Sequence, residues 1–193
     1  MKTRFFVLLY LLTFSTITLS QVNYYYYPMN SETINNLYSI NFSNDYYSGS
    51  YATIVTGASG TVLRNVSGYN GLNLGTNWSS IQTGSQNDFR GTTQGNSYLF
   101  GFSGTTLYST NRGLNWINLY NNNPWNLYSG SNFIDSSYMD SRVFLGGGQG
   151  TILVNYDSNY TTYWRQIQSG TTNTLKSIFF NGNAGWISGT NGA

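Results

Sequence analysis

The chain has 193 residues, room for one domain or at most two, with eight Lys and Arg against six Asp and Glu. Charged residues make up 7% and aromatics 18%, Tyr alone numbers 18, and there is neither His nor Cys. That composition excludes zinc and the usual transition-metal sites, Ser-His and Cys-His catalysis, and disulfide bracing. Abundant aromatic and β-branched residues exclude disorder and favour strands.

Residues 1–20 read as an export signal: Lys2 and Arg4, the apolar run Phe5 to Leu12, then small and polar residues ending Thr18-Leu19-Ser20. The apolar run is short for a membrane span. No other stretch could cross a bilayer, so the mature chain is expected to carry no transmembrane segment. It is expected to be secreted or held at the cell surface or envelope. Removing the signal leaves six basic against six acidic side chains. Without a Lys/Arg cluster, nucleic acid is not an expected partner. Export without cysteine fits a bacterial source.

Residues 21–32 form a linker or outer strand around Tyr24-Tyr25-Tyr26-Tyr27-Pro28, whose rings could alternatively stack on sugars. Residues 33–193 then repeat one pattern. Gly57-Ala-Ser-Gly60-Thr-Val-Leu63, Gly101-Phe-Ser-Gly104-Thr-Thr-Leu107 and Gly147-Gly-Gln-Gly150-Thr-Ile-Leu153 are three copies, and Ser188-Gly189-Thr190-Asn191-Gly192 begins a fourth. A Trp closes each of the first three, at 78, 116 and 164. Upstream lies a second phrase, starting at Leu37-Tyr38, Leu127-Tyr128 and Leu175-Lys176, with Phe89-Arg90 as its weaker version.

A period in the forties built of short strands and Gly/Asn turns predicts an all-β chain, a β-propeller of four-stranded blades. About 3.5–4 blades are present. Ala52–Val55, Tyr98–Phe100 and Arg142–Leu145 are the predicted inner strands, with Trp186 in a fourth. Because an unclosed stack leaves a long unpaired edge, the chain is expected to be part of a larger ring of six to eight blades. A four-bladed ring completed by the Tyr run is the alternative.

Ser109-Thr-Asn111-Arg-Gly113-Leu-Asn-Trp116 resembles the Asp-box of bacterial neuraminidase repeats, with Asn for Asp. Weaker copies place Asn73, Gly75 and Trp78 in the first repeat and Trp164 in the third. The fuller phrase from Gln168 to Gly192 resembles the photosystem II stability/assembly factor-like propellers, many of them secreted bacterial proteins. This resemblance implies the propeller fold and a non-catalytic scaffold for a protein or glycan partner. In the neuraminidases the Asp-boxes are turns remote from the active site, so Ser109, Asn111, Gly113 and the three Trp are expected to be structural.

The Asp-box also raises a sialidase-like glycoside hydrolase whose catalytic residues lie in further blades. The sole Glu is Glu32, and the five arginines outside the signal are scattered. Asp135 and Asp140 flank a loop, and no acid recurs at one repeat position. No catalytic, metal or cofactor residue is therefore assigned. Trp78, Trp116 and Trp164 are expected to wedge between neighbouring blades, and Tyr120, Trp125 and Tyr128 form the candidate exposed aromatic contact.

Overall fold

Each repeat folds as an antiparallel meander, because its β-branched and aromatic runs are separated by turns that need left-handed backbone. The computed structural model describes residues 30–45, 50–67, 78–93, 95, 98–119, 122–135, 140–156, 163–181 and 184–193. The export segment, Tyr24–Tyr27, Asn73, Gly75 and Tyr120 lie outside these residues. The first sheet is β1 (Leu37–Asp45), β2 (Ser50–Gly57), β3 (Val62–Ser67) and β4 (Ser79–Ser80), in that order. The second is β5 (Phe89–Thr92), β6 (Tyr98–Gly101), β7 (Thr106–Tyr108) and β8 (Ile117–Asn118). The third is β9 (Leu127–Asp135), β10 (Asp140–Gly147), β11 (Ile152–Tyr156) and β12 (Trp164–Ile167), and β13 (Leu175–Asn181) pairs with β14 (Ala184–Gly189) in a fourth. Among the described residues no helix is long and apolar enough to cross a membrane.

One loop follows the second strand of every sheet. Ser59-Gly60, Ser103-Gly104, Gln149-Gly150 and Asn191-Gly192 all have positive φ at both residues. Glycine suits the second position because it enters the left-handed region without a Cβ penalty. The first three of these loops also reach the next sheet. Gly60 N–H donates to Asn87 O (3.0 Å), Ser59 N–H to Asp88 Oδ1 (3.0 Å) and Ser103 N–H to Asn126 Oδ1 (2.9 Å). Gly150 N–H repeats the first bond, to Asn173 O (2.9 Å).

The apolar core sits in the seams between sheets. At the first seam Ile54 and Val62 of the first sheet pack with Phe89, Leu99 and Leu107 of the second, covered by Ile81 and Trp116. At the second seam Tyr98 and Phe100 meet Leu127, Val143, Leu145 and Leu153, covered by Tyr108 and Trp164. Burying each large side chain is worth roughly 1.5–3 kcal/mol, so adjacent sheets depend on one another for most of their apolar cover. At the third seam Phe144 meets Phe180 with ring centroids 4.5 Å apart.

One expectation needs correction. The apolar runs at Ala52–Val55, Tyr98–Phe100 and Arg142–Leu145 are not the innermost strands. They lie second in their sheets, paired on both sides, and it is the first strands β1, β5, β9 and β13 that face one another from sheet to sheet. Being paired on both sides makes the second strands apolar, which is what imitates an inner position. Trp116 and Trp164 pack at seams as expected, while Trp78 lies half-buried beside Leu37, Ile40, Val55 and Leu63 on the face of the first sheet that no described sheet covers.

Candidate functional site

The register of every first strand slips at its second residue: between Leu37 and Ser39, between Phe89 and Gly91, opposite Gly146/Gly147 at Tyr128, and between Leu175 and Ser177. The extra residues are Tyr38, Arg90, Tyr128 and Lys176. A β-bulge leaves its extra residue unpaired and re-aims the side chain. The partner position is always glycine, and at Gly101 the reason is close approach: a Cβ there would lie 2.0 Å from Asp88 O. One backbone device, repeated four times, thus turns four side chains out of their sheets.

Those side chains meet. The Arg90 guanidinium lies 4.1 Å from the Tyr38 ring centroid and 4.3 Å from that of Phe102, with Tyr128 at 6.0 Å. Lys176 Nζ sits 3.5 Å from the Tyr128 centroid, and Phe102 packs edge-on against Tyr128 at 5.9 Å. Each cation–π contact is worth about 0.5–2 kcal/mol according to its desolvation. The rings occupy the faces of the guanidinium, leaving its in-plane donors. Arg90 Nε is buried and has no hydrogen-bond partner among the described residues. The neighbouring carboxylate, Asp88, accepts from Tyr38 Oη (3.2 Å) and from Ser59 N–H. The result is a row of alternating rings and cations across four repeats, suited to holding anionic or planar groups.

The other sequence candidates fall elsewhere. Ser109 Oγ accepts from Gly113 N–H (2.8 Å) and Asn111 N–H (3.3 Å), while Asn111 Oδ1 accepts from Asn115 N–H (2.9 Å) and from Ser109 Oγ (3.1 Å). Gly113, at φ +76°, sits against Ile54 of the first sheet; a Cβ there would lie 2.6 Å from Ile54 Cδ1. The Asp-box-like turn is thereby a seam element. Ser109→Ala strands the buried Gly113 N–H and is expected to cost about 1–3 kcal/mol of unfolding free energy, read by urea denaturation. Counting from the seam leucines, the residue equivalent to Ser109 is Asn65 in the first repeat, ahead of the Gly71–Trp78 copy, and Asn155 in the third.

Trp125 is exposed in the loop before β9, its N–H and carbonyl held by the Asn123 side chain. Tyr128 turns instead toward Phe102, Arg90 and Lys176. Asp135 and Asp140 are opposite one another in the β9–β10 register. A cleft of about 740 Å³ runs between Ser85, Asn87, Thr105, Asn118 and Asn123, and its lining carries no charged side chain. Among the described residues no three Asp, Glu, His or Cys side chains come together. Sequence reasoning missed Tyr38, Arg90, Phe102 and Lys176 as a group. The available signal was the column after the first-strand Leu or Phe, which reads Tyr, Arg, Tyr, Lys.

No known family matches the chain, and no curated protein does. Among solved structures it is similar to one described as YCF48 bound to D1 peptide, at 14% identity and a TM-score of 0.39, over 86% of this chain and 64% of that one. The chain thus spans just under two thirds of that protein's length.

Proposed function

We propose that the four sheets are blades of a β-propeller and that the chain is a non-catalytic binding scaffold, exported to the cell surface or envelope. It holds an acidic segment of a protein partner across the row Tyr38–Arg90–Tyr128–Lys176. The observation that carries this reading is the repeated bulge, which brings two cations and two tyrosine rings together with Phe102. The basic, then apolar, N-terminus supports export, and purified secreted protein should begin at Gln21 by mass spectrometry.

An acidic glycan is the second reading, favoured by the same rings, which can stack on sugar faces. A panel of acidic and neutral peptides and oligosaccharides, titrated against the purified chain, distinguishes the two. Arg90→Ala is expected to weaken binding of the best ligand at least about tenfold, the usual loss for a charge-assisted contact, and added salt should weaken the unaltered chain's binding. Unchanged affinity in Arg90→Ala would refute the site. The remaining alternative, a sialidase-like hydrolase with its catalytic residues in further blades, requires turnover of a fluorogenic sialoside by the complete protein.

A further inference from the structure

Each sheet is entered through one kind of loop, marked by positive φ at Glu32, Gly84, Asn122 and Gly170, each five residues before its first strand. The next residue accepts, through its side chain, the N–H two positions on. Thr33 accepts from Asn35 (3.1 Å), Ser85 from Asn87 (3.2 Å), Asn123 from Trp125 (3.4 Å) and Thr171 from Asn173 (3.0 Å). These bonds align the four loops, and the residue two before the first strand reads Asn35, Asn87, Trp125, Asn173.

In the first two repeats that Asn serves the fold. Asn35 Nδ2 donates to Thr61 Oγ1 (2.8 Å) and Asn87 Nδ2 to Thr105 Oγ1 (2.7 Å), tying the entry loop to the loop after the second strand. The equivalent threonine of the third repeat is Thr151, in Gly150-Thr151 as in Gly60-Thr61 and Gly104-Thr105. Thr151 is completely buried, and its Oγ1 has no partner among the described residues. Trp125 stands where the donor would be. A stranded buried hydroxyl is a cost to the fold, and the indole does not offset it by full burial, since Trp125 is 45% exposed. A local rule broken without a gain in packing marks a functional position.

Trp125 directly follows one wall of the polar cleft of about 740 Å³, which is bounded by Ser85 and Asn87 before β5, Thr105 after β6, Asn118 of β8, and Asn123 and Pro124. Every wall thus comes from the second repeat and the entry loops on either side of it. Hydroxyl and amide side chains both donate and accept, as sugar hydroxyls do, and pairing the two removes no charge from water. The volume lies in the range of ligand sites, about 300–1,000 Å³. The exposed indole beyond Pro124 adds a flat apolar face with a polar edge.

We propose that the cleft and Trp125 bind a neutral oligosaccharide, its hydroxyls paired in the cleft and one sugar ring lying on the indole. This site uses none of the residues of the ring–cation row.

Isothermal titration of the 193-residue chain with neutral hexasaccharides of glucose, xylose, mannose and N-acetylglucosamine tests it. At least one is expected to bind, with an affinity that added salt leaves unchanged because no charge is paired. Trp125→Asn restores the residue of the other repeats. It should weaken that binding at least about tenfold, the scale of one lost aromatic contact. Its urea midpoint should stay level or rise, because Thr151 Oγ1 gains a donor. Asn118→Arg, which fills the cleft from an exposed position, should weaken binding as much, and Trp125→Phe, which keeps a ring, should retain most of it. Binding of none of the four sugars overturns the site, as does unchanged affinity in Trp125→Asn or Asn118→Arg. A lower urea midpoint in Trp125→Asn also overturns it, since the tryptophan would then serve the fold.

Discussion

Phe89→Ala is expected to lower the unfolding free energy by about 3–5 kcal/mol, the usual loss for a fully buried Phe. Phe89 is completely buried between Ile54 and Val62 of one sheet and Leu99 and Leu107 of the next. Its removal opens a cavity that neither sheet can fill alone, because each is held by its own ladder. Against a typical domain stability of about 5–15 kcal/mol, that leaves the second sheet poorly anchored. Urea denaturation followed by tryptophan fluorescence should show the midpoint falling, with Trp116 reporting on the same seam. A loss below about 1 kcal/mol would mean that the sheets do not rely on the seam.

Gly60→Ala is expected to cost about 3 kcal/mol or more, and Gly84→Ala only about 1 kcal/mol. Both glycines have positive φ, +72° and +79°, so the intrinsic backbone penalty is shared. They differ in what stands before them. A Cβ on Gly60 would lie 2.0 Å from Ser85 O, in the loop that Gly60 N–H helps to hold through Asn87 O, while a Cβ on Gly84 meets nothing within 4 Å. Parallel denaturation of the two variants isolates the inter-sheet contact from the dihedral cost. Equal losses would show that the loop's approach to the next sheet contributes little.

The repeat was legible because its marks are backbone requirements. Gly60 and Gly150 stand where a left-handed turn runs against the next sheet's loop, and no other residue fits both demands. The boundaries followed from them: Trp78 and Trp116 immediately precede β4 and β8, and Trp164 opens β12. Strand rank was misread because burial follows pairing. Ile54 and Leu99 are apolar for lying in the middle of their sheets, while β1 alternates with Ser39 and Asn41 although it faces the next first strand.

The ligand row was hidden for a different reason. Tyr38, Arg90, Tyr128 and Lys176 share a position without sharing chemistry, so a search for recurring residue types passes over them. The bulge that gathers them is a property of register, signalled in sequence only by Gly57, Gly101, Gly147 and Gly189 on the partner strands. Arg90 looked scattered because its partners come from three different repeats. Trp125 and Tyr128 were grouped as neighbours along the chain, whereas the bulge sends Tyr128 to Phe102 and Lys176.

A double-mutant cycle between Ile54 and Leu99 tests the dependence of neighbouring sheets most directly. These residues are fully buried in one cluster but belong to different sheets. Ile54→Ala, Leu99→Ala and the double variant should give an interaction energy of about 0.5–3 kcal/mol, as for side chains in contact. Losses that add to within about 0.5 kcal/mol, the range found for separated sites, would contradict a core shared across the seam.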